Sequence, residues 1–373
     1  MKSFESFARE LDEAAAAFAK GELGPARARL IRDTDAGFDR QVFKRMADLG
    51  WTGILVPEAY GGLGLGLSEM TAVIQRLARS ILPEPLTTSA VIAAAALSAS
   101  DNEVLKAELL TALCSGDLMP TVAWQEQFGD LEGTQPQSVA AERDGGWEIT
   151  GVKLHVPFAT AADGFVVSAL ASSGAALFWA PASASGIHVE TERLADGTTD
   201  GRVRFERSPA QSMQSRGNLQ ALTVALDMGR VVASAELLGV ARQCLDITLE
   251  YIRTRTQFGK PIGSFQAMQH RAVDLFMLTQ LASSALGQAV ATFEGDEPID
   301  VKAAAASHAK ARCSETALEV AREGIQMHGA IGWTDECDVG LYVKRALVQS
   351  AWLGNAAAHR RRYARLSPFM GTH

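Results

Sequence analysis

The sequence predicts an α+β protein in which helices come first, a small β region follows, and helices return to the end. Three observations carry that expectation. Apolar residues recur at three- and four-residue steps through the first 118 positions. Short valine- and aromatic-rich runs separated by turn residues follow, and from about Gly217 the helical step resumes. The 373 residues, 47% of them hydrophobic and 21% charged, are enough for two or three structural units with substantial cores. The expected domains are an N-terminal helical domain over 1–118, a middle antiparallel β domain over 119–216 and a C-terminal helical domain over 217–373.

Each element follows from its pattern. "ESFARELDEAAAAFAKGE" and "DRQVFKRMADLGW" carry one apolar face at the period of a helix, and "TAVIQRLARSI" and "SAVIAAAALSAS" continue in that style. "NEVLKAELLTALCSGD" is a further helix that stops at Gly116. In "QSVAAERDGGWEITGVKLHV" two strand-like runs flank "RDGG", a hairpin signal. "GFVVSALA", "AALFWAPA" and "GRVRFERSP" are further strands. Val231, Ala235, Leu238, Ala241, Leu245, Leu249 and Ile252 then form one apolar stripe, and 264–294 and 298–328 are two more long helices, rich enough in alanine to pack closely.

Composition excludes several function classes. A formal net charge of -8 argues against nucleic acid as a partner, because phosphate binding needs a basic surface. Cys114, Cys244, Cys313 and Cys337 are far apart with no C-x-x-C pair, which fits reduced thiols rather than disulfides or a metal site. The N-terminal segment has no apolar h-region, and no apolar run reaches membrane-spanning length. A cytoplasmic protein without a metal or a membrane anchor is expected.

Four stretches invite a chemical reading. "YGGLGLG" (Tyr60 to Gly66) lacks the spacing and the βαβ setting of a dinucleotide loop and reads as a turn before a helix. In "RTRTQFGKPIGSFQAMQHR" (Arg253 to Arg271), an arginine able to grip pyrophosphate and a phenylalanine with a flat apolar face follow a long helix; an ordinary inter-helix turn is the competing reading. "GIQMHGAIGWTDE" (Gly324 to Glu336) has glycines where a helix stops and backbone amides can approach a ligand, with His328 expected as a packing residue. "HRRRYAR" (His359 to Arg365) reads as a solvated helix terminus.

Taken together, "VPEAYGGLG" (Val56 to Gly64), "RTQFGKPIGSFQ" (Arg255 to Gln266) and "QMHGAIGW" (Gln326 to Trp333) resemble, in the right order, the signatures of the acyl-CoA dehydrogenase family. The resemblance covers essentially the whole chain. It implies the family fold: N-terminal helices, a middle antiparallel, barrel-like β domain and a C-terminal four-helix bundle. It also implies an FAD-dependent α,β-dehydrogenation of a CoA thioester, with a glutamate removing the α-proton and an electron acceptor such as electron-transfer flavoprotein.

Against that family pattern the chain departs at linked places. Where the family has Y-E-G-T-x-Q with the catalytic glutamate, the chain reads "WLGNAA", with Trp352, Leu353, Asn355 and Ala357 at the tyrosine, glutamate, threonine and glutamine. The rarer position of the acid falls on Gly229. The flavin cradle T-E-P-x-A-G-S-D is replaced by "WQEQFGDLEG" (Trp124 to Gly133), and N-G-x-K-x-W-I-T by "TGVKLHVP", which puts His155 at the tryptophan and Pro157, without an N–H, at the threonine. No catalytic residue is expected on this chain.

The family residues that a neighbouring subunit contributes to a flavin are mostly kept: Arg255, Gln257, Phe258, Gln266, Gln326 and Gly329, with Ala330 replacing a second glycine. The resemblance therefore extends to the non-catalytic chain of the heterotetrameric acyl-CoA dehydrogenases of bacterial steroid and cholate side-chain degradation. The expected partner is a paralogous subunit that carries the glutamate and shares its FAD. A self-sufficient homotetramer with a relocated base at Asp227 or Glu236, and a flavin-free scaffold or acyl-CoA binding protein, stay open at this point.

Overall fold

The helical period of the first 118 residues becomes α1 (Lys2–Glu22), α2 (Pro25–Arg32), α3 (Arg40–Asp48), α4 (Leu67–Ala78), α5 (Ala94–Ser98) and α6 (Glu103–Cys114). These elements come from a computed structural model that describes residues 2–143, 145–214 and 219–367. The Asp39 carboxylate accepts from the backbone N–H of Gln41 at the start of α3, and the helix buries Val42, Phe43, Met46 and Ala47 on one side. Asn102 caps α6 in the same way, and Gly116 with φ +74° takes the left-handed turn just past its end. Ahead of α5, Thr87–Ala93 form a fully buried π-helical turn that no sequence period announces.

The chain divides into two units, residues 1–30, 71–82 and 230–373 in one and residues 31–70 and 83–229 in the other. The second is built on a seven-stranded sheet: β1 (Pro120–Ala123), β2 (Val139–Arg143), β3 (Gly146–Pro157), β4 (Gly164–Ala171), β5 (Gly174–Pro181), β6 (Ile187–Arg193) and β7 (Thr199–Ser212). The "RDGG" hairpin forms, with Arg143 paired to Gly146; Asp144 lies outside the described residues. One expectation is corrected. The sheet is mixed rather than wholly antiparallel, because β1 runs parallel to β4 from Pro120↔Gly164 to Ala123↔Val167. The intervening β2–β3 hairpin makes the connection long enough to bring β4 back in the same direction. Ile149, Phe165, Val167, Phe178, Val203 and Phe205 fill the core against this sheet. Phe165 meets Phe205 edge to face with centroids 5.9 Å apart.

The first unit holds the long helices: the larger part of α7 (Gln220–Thr254), then α8 (Gln266–Glu294), α9 (Ile299–His328), α10 (Val339–Ala351) and α11 (Ala356–Leu366). Between α7 and α8 sits a small hairpin of β8 (Thr256–Gln257) and β9 (Lys260–Pro261). The stripe read from the sequence is the buried face of α7, with Val231, Ala235, Leu238, Ala241, Leu245 and Ile252 all inside; Leu249 is half-buried. α9 packs against α8, α10 and α11, and its buried Ala303, Ala304, Ala306, Ala309 and Ala311 show why alanine is used there. The boundary expected at 216/217 lies outside the described residues.

Candidate functional site

The six residues read as cofactor-facing come from three segments at one end of the helical unit. Arg255, Gln257 and Phe258 sit on the β8–β9 hairpin, Gln266 is the first residue of α8, and Gln326 and Gly329 close α9. What joins the two motifs is a ring stack. Tyr251, near the end of α7, lies on His328 with centroids 4.3 Å apart and 21° between planes, and its hydroxyl donates to the His328 carbonyl at 3.2 Å. His328 itself is buried, its Nδ1 2.7 Å from the Gly324 carbonyl, and burial lowers its pKa. It is a packing residue, as expected.

All six residues are exposed. Phe258 is 91% exposed with φ +53°, an unfavourable backbone for a bulky side chain. Its ring meets Phe265 edge to face at 6.2 Å, and the Lys260 ammonium lies 4.3 Å over the Phe265 ring. An outward aromatic beside an arginine on strained backbone can offer a ligand one apolar face and one guanidinium fork.

The "WLGN" turn is closed. Leu353 is buried with φ +58°, and Gly354 follows at φ +107°. The Leu353 carbonyl accepts from His359 Nε2 at 2.9 Å and from Arg230 Nε at 3.4 Å. Lys310 Nζ donates to the carbonyls of Gln349 (2.9 Å), Ser350 (3.3 Å) and Gly354 (3.2 Å), satisfying the last turn of α10. Asn355, at the family threonine, caps α11 by accepting from Ala358 N–H at 2.9 Å. Burial pushes Lys310 down to about 7. Burial, with Arg230 and Lys310 alongside, pushes His359 down to about 2, so its imidazole stays neutral with the proton on Nε2. The basic run 359–365 is therefore only partly a solvated terminus. His359 and Arg362 point inward, where Arg362 donates to Ser307 Oγ and the Ala303 carbonyl, and the other arginines face out.

The loop Trp124–Gly133 and the end of β3 are equally committed. Lys153, fully buried, donates to Glu126 Oε1 at 2.6 Å and to Ser168 O at 2.5 Å. Burial lowers Lys153 to about 8; burial alone would raise Glu126, but Lys153 and the Ser138 hydroxyl hold it below its ordinary range. His155, on a bulge of β3 at φ +50°, has Nδ1 3.8 Å from Asp200 and its ring 5.2 Å from Phe128. Burial raises Asp200 to about 6. The Pro157 carbonyl accepts from Thr121 Oγ1 at 2.9 Å. The cavity beside this loop, about 430 Å³, is lined by Glu126, Asp130 and Glu132 with no lysine or arginine, a poor lining for a pyrophosphate.

Of the two candidates for a relocated base, Glu236 is spent in a buried ion pair, its Oε1 2.7 Å from Arg345 Nε. Asp227 is buried on α7. Sequence reasoning missed Lys310, Arg230 and His359 as holders of the 353 turn. Their helices are far apart in the chain, and the only signal was the presence of charged residues on otherwise apolar helix faces. Among the described residues no group of three or more His, Cys, Asp or Glu could hold a metal, and no helix is long and apolar enough to cross a membrane.

Comparison with known proteins matches residues 7–117 to the acyl-CoA dehydrogenase N-terminal domain and residues 216–367 to the acyl-CoA dehydrogenase C-terminal domain. Acyl-CoA dehydrogenase FadE27 of Mycobacterium tuberculosis is 30% identical over 91% of both chains. Acyl-CoA dehydrogenase IpdE2 of the same organism is 29% identical over 90% of this chain and 89% of its own. Among solved structures, a variant of the Tcur3481–Tcur3483 steroid ACAD superposes with a TM-score of 0.88 at 30% identity, covering 97% of this chain and 98% of that one. The ChsE4–ChsE5 complex from Mycobacterium tuberculosis gives 0.89 at 27% identity, covering 98% of each. With both terminal domains matched and a relative 30% identical along nearly its whole length, the chain belongs to the acyl-CoA dehydrogenase family.

Proposed function

We propose that this chain is the non-catalytic subunit of a heterotetrameric, FAD-dependent acyl-CoA dehydrogenase of the cytoplasm, completing the flavin site of a paralogous subunit that carries the catalytic glutamate. The observation that carries the reading is the contrast between the two halves of a shared site. Arg255, Gln257, Phe258, Gln266, Gln326 and Gly329 all face outward, while the chain's own cradle is closed by Lys153–Glu126, His155–Asp200 and an acidic cavity lining. The fit of FAD is therefore one-sided. Arg255 would grip the pyrophosphate, Phe258 would lie against an apolar ring, and the glutamines and the Gly329 backbone would hydrogen-bond the adenosine end. Bound FAD would supply the acceptor for the hydride leaving the acyl thioester. This chain's residues would bind and orient it without moving a proton, since residue 353 is an apolar side chain packed inside the helical unit.

A similar solved structure, the Tcur3481–Tcur3483 steroid ACAD, supports the choice of substrate class. A bulky steroid side-chain acyl-CoA fits an assembly in which half the acyl sites are closed, with an electron acceptor such as electron-transfer flavoprotein. Arg255→Ala in the co-expressed complex is expected to lower the affinity for FAD by about tenfold to a hundredfold, the loss of one charge-assisted Arg–phosphate pair of about 1.5–3 kcal/mol. Unchanged flavin retention in that variant would remove the support of this residue set.

Of the alternative with a base relocated to Asp227 or Glu236, the Glu236 form is disfavoured by a specific observation. Glu236 is held by Arg345 inside the helical unit and is not available to a substrate.

A further inference from the structure

Within the helical unit, the loop that follows α9 is tied to the N-terminal segment by one side chain. Arg29, on α2, donates from Nε and Nη2 to the Asp335 carbonyl at 3.0 and 2.6 Å, and from Nη1 to Asp338 Oδ1 at 2.8 Å. The partners are 306 and 309 residues apart in the chain. α2 has no buried residue of its own, so apolar packing does not account for this contact. Asp338 stands at the N-cap of α10, where an aspartate ordinarily accepts from an amide of the first turn. Its carboxylate makes no such bond and accepts from Arg29 instead.

The loop held in this way begins at Gly329, one of the residues proposed to face FAD, and Gln326 lies three residues before it. Gly329 has φ +69°, and a Cβ there would meet no protein atom within 4 Å, so open space faces its backbone. The turn behind it is tight. A Cβ on Gly332 would lie 2.8 Å from the Ile325 carbonyl oxygen. Thr334 N–H then donates to the Ile331 carbonyl at 3.0 Å, and Cys337 N–H to the Thr334 carbonyl at 3.2 Å. Short backbone bonds therefore run from the Gly329 turn to the residues that Arg29 grips. Tyr251 holds the start of the segment at His328, and Arg29 holds its end.

We infer that Arg29 is a positioning residue for FAD: by fixing Asp335 and Asp338 it keeps the Gly329 turn in the form that receives the adenosine end of the cofactor. A backbone amide contributes most to a ligand when its loop is ordered beforehand, because binding then carries no further ordering cost. The fork also explains the residue type. A guanidinium spans a carbonyl and a carboxylate at once, which an ammonium does not. The inference rests on the proposed function and adds to it a residue from outside every motif in which the resemblance was found.

Hydrogen exchange of the isolated chain, read by mass spectrometry, is the first arm of the test and needs no flavin. Arg29→Ala is expected to speed exchange of the amides in 329–341 about tenfold, the loss of about one charge-assisted hydrogen bond. The control is Arg76→Ala, which removes a similar fork, on Asp12, from another part of the same unit and is expected to leave those amides unchanged. The second arm measures FAD affinity in the co-expressed complex. Arg29→Ala is expected to weaken binding about threefold to tenfold, Arg29→Lys to recover part of that loss, and Arg76→Ala to match wild type. Unchanged exchange in Arg29→Ala, or a loosened loop that binds FAD as tightly as wild type, would overturn the inference. An equal loss of FAD in Arg76→Ala would overturn it too, by showing a general effect of stability. Failure of the functional reading looks different, since Arg255→Ala would then bind FAD as wild type does in the same assay.

Discussion

The most local test of the closed 353 turn compares Leu353→Ala with Leu353→Gly. Leu353 is 6% exposed with φ +58°, and its carbonyl is held by His359 and Arg230 while Lys310 fixes the flanking carbonyls. Truncation to alanine loses the buried side chain and leaves a cavity, a cost of about 3–4 kcal/mol. Alanine still pays the left-handed backbone, about 1–2 kcal/mol, and glycine does not. Glycine loses one further buried carbon and gains freedom in the unfolded chain, together about 1 kcal/mol. The balance leaves Leu353→Gly as stable as Leu353→Ala or up to about 1 kcal/mol more stable, the reverse of their order at an ordinary position. Urea unfolding of the two variants, followed by tryptophan fluorescence with m-values compared, reads this difference directly. An alanine variant about 1 kcal/mol more stable than the glycine variant would show that the turn relaxes out of the left-handed region. The hydrogen bonds from His359, Arg230 and Lys310 would then not fix it.

Two further substitutions test the electrostatics of the closed regions. Asp200 has a folded pKa of about 6, raised by burial, so its ionisation costs the folded state nothing below its ordinary value of 3.8 and the full amount above 6. Asp200→Asn is therefore expected to stabilise by about 2–3 kcal/mol at pH 7–8, with the gain shrinking toward zero as pH falls to about 4, measured by urea titration across that range; a gain that does not vary with pH would contradict the assignment. Glu236→Gln leaves the Arg345 guanidinium, 6% exposed, without its carboxylate and is expected to destabilise by about 3–5 kcal/mol in the same assay. A variant of unchanged stability would reopen Glu236 as a candidate base.

Much of the architecture was legible because it rests on periodicity. The apolar stripe of α7 and the extents of α8 and α9 follow from the three- and four-residue step, and the β2–β3 hairpin follows from "RDGG". The parallel pairing of β1 with β4 was not legible, since strand direction depends on a connection whose path no local pattern records. The residues proposed to face the cofactor come from a resemblance alone, and the stack of Tyr251 on His328 supplies a physical link between their two motifs that sequence spacing lacked. Leu353 could be recognised as the wrong residue for a base, but its left-handed backbone could not. A non-glycine residue gives no sign of positive φ, and the groups that hold it there come from α7, α9 and α11. The basic run 359–365 was misjudged for the same reason, because partners on α9 turn His359 and Arg362 inward.

Flavin stoichiometry tests the central claim most directly. The chain is purified alone and after co-expression with a paralogue that carries a glutamate at either family base position, and FAD is quantified by absorbance against protein. The account predicts no bound flavin in the isolated chain and about two FAD per heterotetramer, half the number of subunits. One FAD per chain in the isolated protein, or four per tetramer in the complex, would contradict it.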